Sequence, residues 1–136
     1  MKRKTFLRVS FVLSVLSLCL PWFTYNARVM GYRYGIAFVK WYAVPFVFIG
    51  IHLFSEKISE VTALLAEVSV TANLVVSVWL FGRWLEICNI AAGFQWTDGF
   101  RTAQAGFWIA AGLMLILFFA FQVEFCRLRI GDSGTE

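Results

Sequence analysis

Charge is scarce in this sequence. Asp, Glu, Lys and Arg make up 15% of its 136 residues while 60% are apolar, where a water-soluble domain carries roughly a quarter charged residues. A soluble chain this short has no interior large enough to hide so much apolar surface. The three cysteines, Cys19, Cys88 and Cys126, form no CxxC pair, which excludes the common zinc and dithiol spacings. An odd count leaves at least one thiol unpaired, with Cys19 and Cys88 the candidate pair. Histidine occurs once, at His52. There is no HExxH, no nucleotide loop and no Ser, His and Asp set from which to build a nucleophile. The expectation is therefore a non-enzyme, with no catalytic residue, no metal ligand and no cofactor assigned. No Asn-x-Ser/Thr acceptor occurs either, which is compatible with a bacterial inner membrane.

What the sequence has in abundance is long apolar stretches, rich in the 15 Phe and six Trp. Four of them, Phe6–Phe23, Ile36–Phe54, Val61–Phe81 and Ala103–Phe125, approach the ~20 residues that a helix rising ~1.5 Å per residue needs to cross ~30 Å of hydrocarbon. The expected fold is all-α: a four-helix transmembrane bundle forming one domain over residues 1–130, with 131–136 as a flexible cytoplasmic tail. The opening Met1-Lys2-Arg3-Lys4 before an apolar run resembles the start of a signal peptide. The run continues through Leu20-Pro21-Trp22-Phe23 with no small-x-small cleavage site, so a retained helix is expected.

The connections differ in length. Ser55 to Glu60 suits a tight antiparallel turn with Ser59 as a helix cap. Thr24 to Gly35 places β-favouring residues around Gly31 and predicts a short extracytoplasmic β-hairpin between the first two helices. The stretch from Gly93 to Phe100 is expected to be a compact turn or short interfacial element. Lys2, Arg3, Lys4, Arg8, Lys57, Arg127 and Arg129 fall on one side, and Arg28, Arg33, Lys40, Arg83 and Arg101 on the other. The dense N-terminal cluster predicts both termini in the cytoplasm of a multi-pass plasma (bacterial inner) membrane protein. The net charge of +4 is thereby read as membrane orientation, and nucleic acid is not an expected partner.

Two sets of residues are candidates for function. On the third helix, Thr62, Ala66, Ser69, Asn73 and Ser77 recur at three and four residues as a small, polar stripe suited to close helix contact. Glu67, Asn73, Ser69 and Ser77 form the candidate intramembrane polar site, with Glu67 as the principal residue because an acid inside the membrane marks a helix contact or a function. His52, near the cytoplasmic end of the second helix, is expected to be solvated or capping. At the opposite side, all six Trp and all four Tyr map to the extracytoplasmic half, more than the two-sided aromatic belt of a membrane protein requires. Trp22, Trp41, Trp84, Trp96, Tyr32 and Tyr34, with Arg33, Arg83 and Arg101, are the candidate binding surface. The expected function is an accessory, scaffold or binding subunit whose partners are the lipid bilayer and another membrane protein or a second copy. The alternative is a small oligomeric transporter or channel that uses Glu67 as its carboxylate.

Overall fold

The computed structural model describes residues 2–27, 29–57, 59–88 and 96–133, with side chains described outside 25–31 and 132–133. It is mostly helical, with a small sheet. Helix α1 spans Arg3–Leu16 and tightens into a 3-10 turn over Ser17–Cys19. An antiparallel hairpin follows, β1 Pro21–Ala27 against β2 Val29–Tyr34, with Thr24 opposite Tyr32 and a register shift between Pro21 and Phe23. A 3-10 turn, Gly35–Phe38, leads into α2, Val39–Phe54. Then come α3, Glu60–Ile87, the short α4, Trp96–Thr102, and α5, Ala105–Ser133. Helix α1 packs on α2 and α5, and α3 packs on α2 and α5.

Three segments are long and apolar enough to cross a membrane: Gly35–Phe54, Glu60–Ile87 and Ala105–Gly131, with mean hydropathies of 1.7, 1.8 and 2.1. Their burial pattern has the same meaning. Helix α3 buries Ser69, Asn73 and Ser77 and exposes Val61, Leu64, Leu65, Val68, Val75 and Val78. Helix α1 and its 3-10 turn likewise bury Ser10, Ser14 and Ser17 and expose Phe6, Val9, Val12, Leu13 and Leu16. Small polar side chains lie inside among buried apolar ones such as Leu7, Val70 and Leu80, while many large aliphatic side chains face outward, unlike a water-soluble surface. They fit a solvent as apolar as leucine, in which close helix approach and interhelical hydrogen bonds hold the helices together.

The expected first helix ends early. Pro21, Trp22 and Phe23 were placed by hydropathy in that helix, but they begin β1. Residues before proline are driven out of the α region, and Leu20 is extended at φ −87°, ψ 154°. The Trp22 indole N–H donates to the Ser17 carbonyl at 2.9 Å, which satisfies one of the acceptors that the ending helix releases. The hairpin is then tied to the far helices. The Gln104 N–H donates to the Trp22 carbonyl at 2.7 Å, and Phe23 bridges Ala103. Gly106 permits this approach, because a Cβ there would stand 2.5 Å from the Pro21 carbonyl oxygen.

Helices α3 and α5 outrun their apolar cores, to Ile87 and Ser133. Past Phe81, Trp84 and Leu85 remain buried while Arg83 and Glu86 pair at 3.1 Å on the outside, so the helix continues through Gly82. At its start, α3 carries the expected Ser59 cap: the Ser59 hydroxyl accepts from the Thr62 N–H at 3.2 Å, and the Thr62 hydroxyl accepts from the Ser59 N–H at 3.1 Å. The other end of the α2–α3 turn is held by cations from α1. Arg8 donates to the Leu53 carbonyl at 2.9 Å and Lys4 to the Ser55 carbonyl at 3.4 Å, where the helix dipole of α2 favours positive charge.

Candidate functional site

Helix α3 sorts its polar residues onto two faces. Ala66, Ser69, Asn73 and Ser77 are buried, since steps of three and four residues return to nearly the same side of a helix. The Ser77 hydroxyl donates to the Asn73 carbonyl at 2.8 Å, so the Tyr42 hydroxyl, 2.9 Å away, donates to Ser77. The Asn73 amide N–H reaches the Met114 sulfur at 3.9 Å. Its Oδ1, fully buried, has no hydrogen-bond partner among the described residues. The stripe is thus a joint binding α3 to α2 and α5.

Glu67 lies elsewhere. One residue turns a helix by about 100°, and that offset from Ala66 carries Glu67 off the buried stripe and onto a lateral groove of about 580 Å³ with Thr71 and Phe125. The four residues expected as one polar site therefore divide: Asn73, Ser69 and Ser77 together inside, Glu67 on a lateral face.

The aromatic residues also divide. Trp22 and Trp84, expected on the binding surface, are core residues, 2% and 1% exposed. Trp22 lies edge-on to Tyr42 and Phe107. Trp84 stacks on Phe23 at 4.9 Å with planes 10° apart, and its indole N–H donates to the Thr102 hydroxyl at 2.9 Å. Their phase on the helix and hairpin directs them inward, which aromatic content by itself does not reveal. Trp41, Trp96, Tyr32 and Tyr34 are at the surface. Trp41 meets Trp79 edge-on at 5.2 Å and has the Lys40 ammonium over its ring at 5.1 Å. Arg33 and Arg101 are exposed, and Arg83 is half-buried with Glu86 as its partner. Arg28 and residues 93–95 lie outside the described residues, as does the side chain of Tyr25.

Between α3 and α5 runs an apolar groove of about 350 Å³, roofed by α4. Phe81 is its centre: its ring meets Phe100 at 4.9 Å, Phe107 at 5.5 Å, Trp108 at 5.6 Å and Trp96 at 5.8 Å. Leu74, Val78 and Leu115 form the aliphatic far end. Helix α4 can lie this close because Gly99 has no side chain; a Cβ there would stand 2.5 Å from the Phe81 carbonyl oxygen. The groove has the size and lining of a site for an apolar group. The short interfacial element expected between Gly93 and Phe100 overlaps α4, but its place over the groove is not encoded by so short and mixed a segment.

At the opposite end of the molecule, His52, expected to be solvated or capping, is buried. Its ring lies 3.3 Å from the Thr62 hydroxyl and 3.4 Å from Glu124, edge-on to Phe121. This joins α2, α3 and α5 at one level. The cysteines are free thiols. Among the described residues, no group of three His, Cys, Asp or Glu side chains could hold a metal ion. No protein-family model, curated protein or solved structure matches this chain.

Proposed function

We propose that this chain is an accessory or binding subunit of a plasma (bacterial inner) membrane, with α1, α2, α3 and α5 spanning as a four-helix bundle. Both termini are then cytoplasmic, and the hairpin, α4 and the aromatic groove face the extracytoplasmic side. The lysines and arginines around α1 support this orientation. Helix α1 is the shortest of the four, but with its 3-10 turn it rises about 27 Å, close to the ~30 Å of a hydrocarbon layer, and like α3 it buries serines and exposes aliphatic side chains. The role is to hold an apolar part of another membrane protein or of a lipid at the aromatic face.

The observation that carries this reading is the groove roofed by α4. Aromatic anchors around a desolvated pocket are the usual centre of a binding surface, and here Phe100 and Trp96 remain 68% and 47% exposed. The test is a quantitative pull-down from the native membrane with Trp96→Ala and Phe100→Ala combined. The reading predicts at least several-fold weaker association with helix content unchanged; undiminished association contradicts it.

A further inference from the structure

We propose that the Glu67 face of α3 docks a transmembrane helix of another polypeptide that carries a lysine or arginine at the depth of Glu67. This rests on the accessory-subunit reading and names the partner's chemistry at a face separate from the aromatic groove.

Glu67 stands seven residues into α3, about 10 Å along its axis, inside one of the three apolar segments. Acids in such segments nearly always face the protein interior or pair with a cation, since an unpaired charge in hydrocarbon costs several kcal/mol. Here the acid faces sideways. The Thr71 hydroxyl beside it donates to the Glu67 backbone carbonyl at 2.9 Å, and the carboxylate has no hydrogen bond or ion pair among the described residues. The cations of α1 are held elsewhere, Arg3 on the Ala120 carbonyl at 2.8 Å and Lys4 and Arg8 on the end of α2. Among the described residues no cation pairs with Glu67, so the proposal takes its partner from another molecule.

The shape of the face selects a helix. Leu64, Val68, Ala72 and Val76 form one ridge at steps of four residues, and Glu67, Thr71 and Val75 form the next; both line the groove of about 580 Å³. A channel between two such rows is what a neighbouring helix fills with its own ridge. Thr71 and Ala72 at its middle allow close backbone approach. A second copy does not fit as well. A two-fold contact on this face sets it against itself, and the groove offers only another carboxylate and another threonine hydroxyl. A lipid tail offers no donor at all.

The test is photo-crosslinking in the host membrane, with a photoreactive residue in place of Val68 in the full chain and a control at Val47 on the exposed side of α2. Crosslinked peptides are identified by mass spectrometry. The expected product joins position 68 to an apolar segment of another protein containing Lys or Arg. Its yield should fall at least tenfold with Glu67→Gln and also with Ala72→Phe, which blocks the groove while keeping the carboxylate. Glu67→Lys combined with the partner's basic residue changed to Glu should restore it. Crosslinking only to lipid, to a second copy, or to a segment without a basic residue overturns the proposal. So does an unchanged yield with Glu67→Gln, or no product at position 68. If another polypeptide still co-purifies in that case, the accessory reading stands and only this inference fails; if none does, both fail.

Discussion

Trp84 and Trp96 have the same side chain and opposite duties. Trp84 is stacked, hydrogen-bonded and 1% exposed, while Trp96 is 47% exposed at the rim of the groove. Truncating a buried tryptophan leaves a cavity and costs about 3–5 kcal/mol, whereas an exposed side chain typically changes stability by about 0.5 kcal/mol or less. Trp84→Ala should therefore unfold at clearly lower temperature in detergent, followed by circular dichroism, and Trp96→Ala should not; equal losses contradict the assignment. Asn73 makes a second case. Its Oδ1 is buried without a donor, and an unsatisfied buried polar group costs about 1–3 kcal/mol. Asn73→Leu is thus expected to be at least as stable as the wild type by the same measurement. A loss of about 2 kcal/mol or more would mean that Oδ1 has a partner in the membrane. From the sequence, the buried stripe of α3 could be placed by counting residues, but Glu67 was grouped with it, and Trp22 and Trp84 could not be turned inward. That depends on where the hairpin folds back, which no helical period encodes.

The helices themselves were legible because apolar length is read directly from hydropathy. The end of α2 at Phe54 and the Ser59 cap fall where turn and capping chemistry place them, while its start moves from Ile36 to Val39 behind a 3-10 turn. Helix α1 shows where hydropathy misleads. Leu20, Trp22 and Phe23 are as apolar as a spanning helix needs, yet Pro21 sets the backbone direction and the segment becomes strand. The ends of α3 and α5 err the other way: paired charges such as Arg83 and Glu86 sit comfortably on a helix that leaves the apolar zone. The hairpin was legible in its position from its β-favouring residues, but its attachment to α5 was not, because it depends on a backbone contact with Gly106. Gly106→Ala places a methyl against the Pro21 carbonyl and should separate the hairpin from α5. The expected sign is faster amide hydrogen exchange at Gln104, whose N–H donates to Trp22, with exchange in α2 unchanged. Protection equal to wild type at Gln104 contradicts the close packing.

On the scale of the whole molecule, the chain is unevenly furnished. One end gathers the six tryptophans, the hairpin and the roofed groove; the other gathers cations, His52 and Glu124. Between them the interior combines buried apolar side chains such as Ile49, Val70, Leu80 and Leu117 with serines, Asn73 and Tyr42, while further aliphatic side chains face outward. Two features point outward, the aromatic groove beside α4 and the Glu67 face of α3, and these are the surfaces on which the proposed contacts with other molecules rest. Membrane character was legible from composition, but these two surfaces were not, since a lateral groove exists only once helices have been set beside one another.

The central claim is that the working unit includes another polypeptide. Native mass spectrometry of the tagged protein, gently extracted from its host membrane at natural abundance, tests it most directly. A stoichiometric complex containing a different membrane protein is the predicted result. A clean monomer or homo-oligomer carrying no other polypeptide would contradict it.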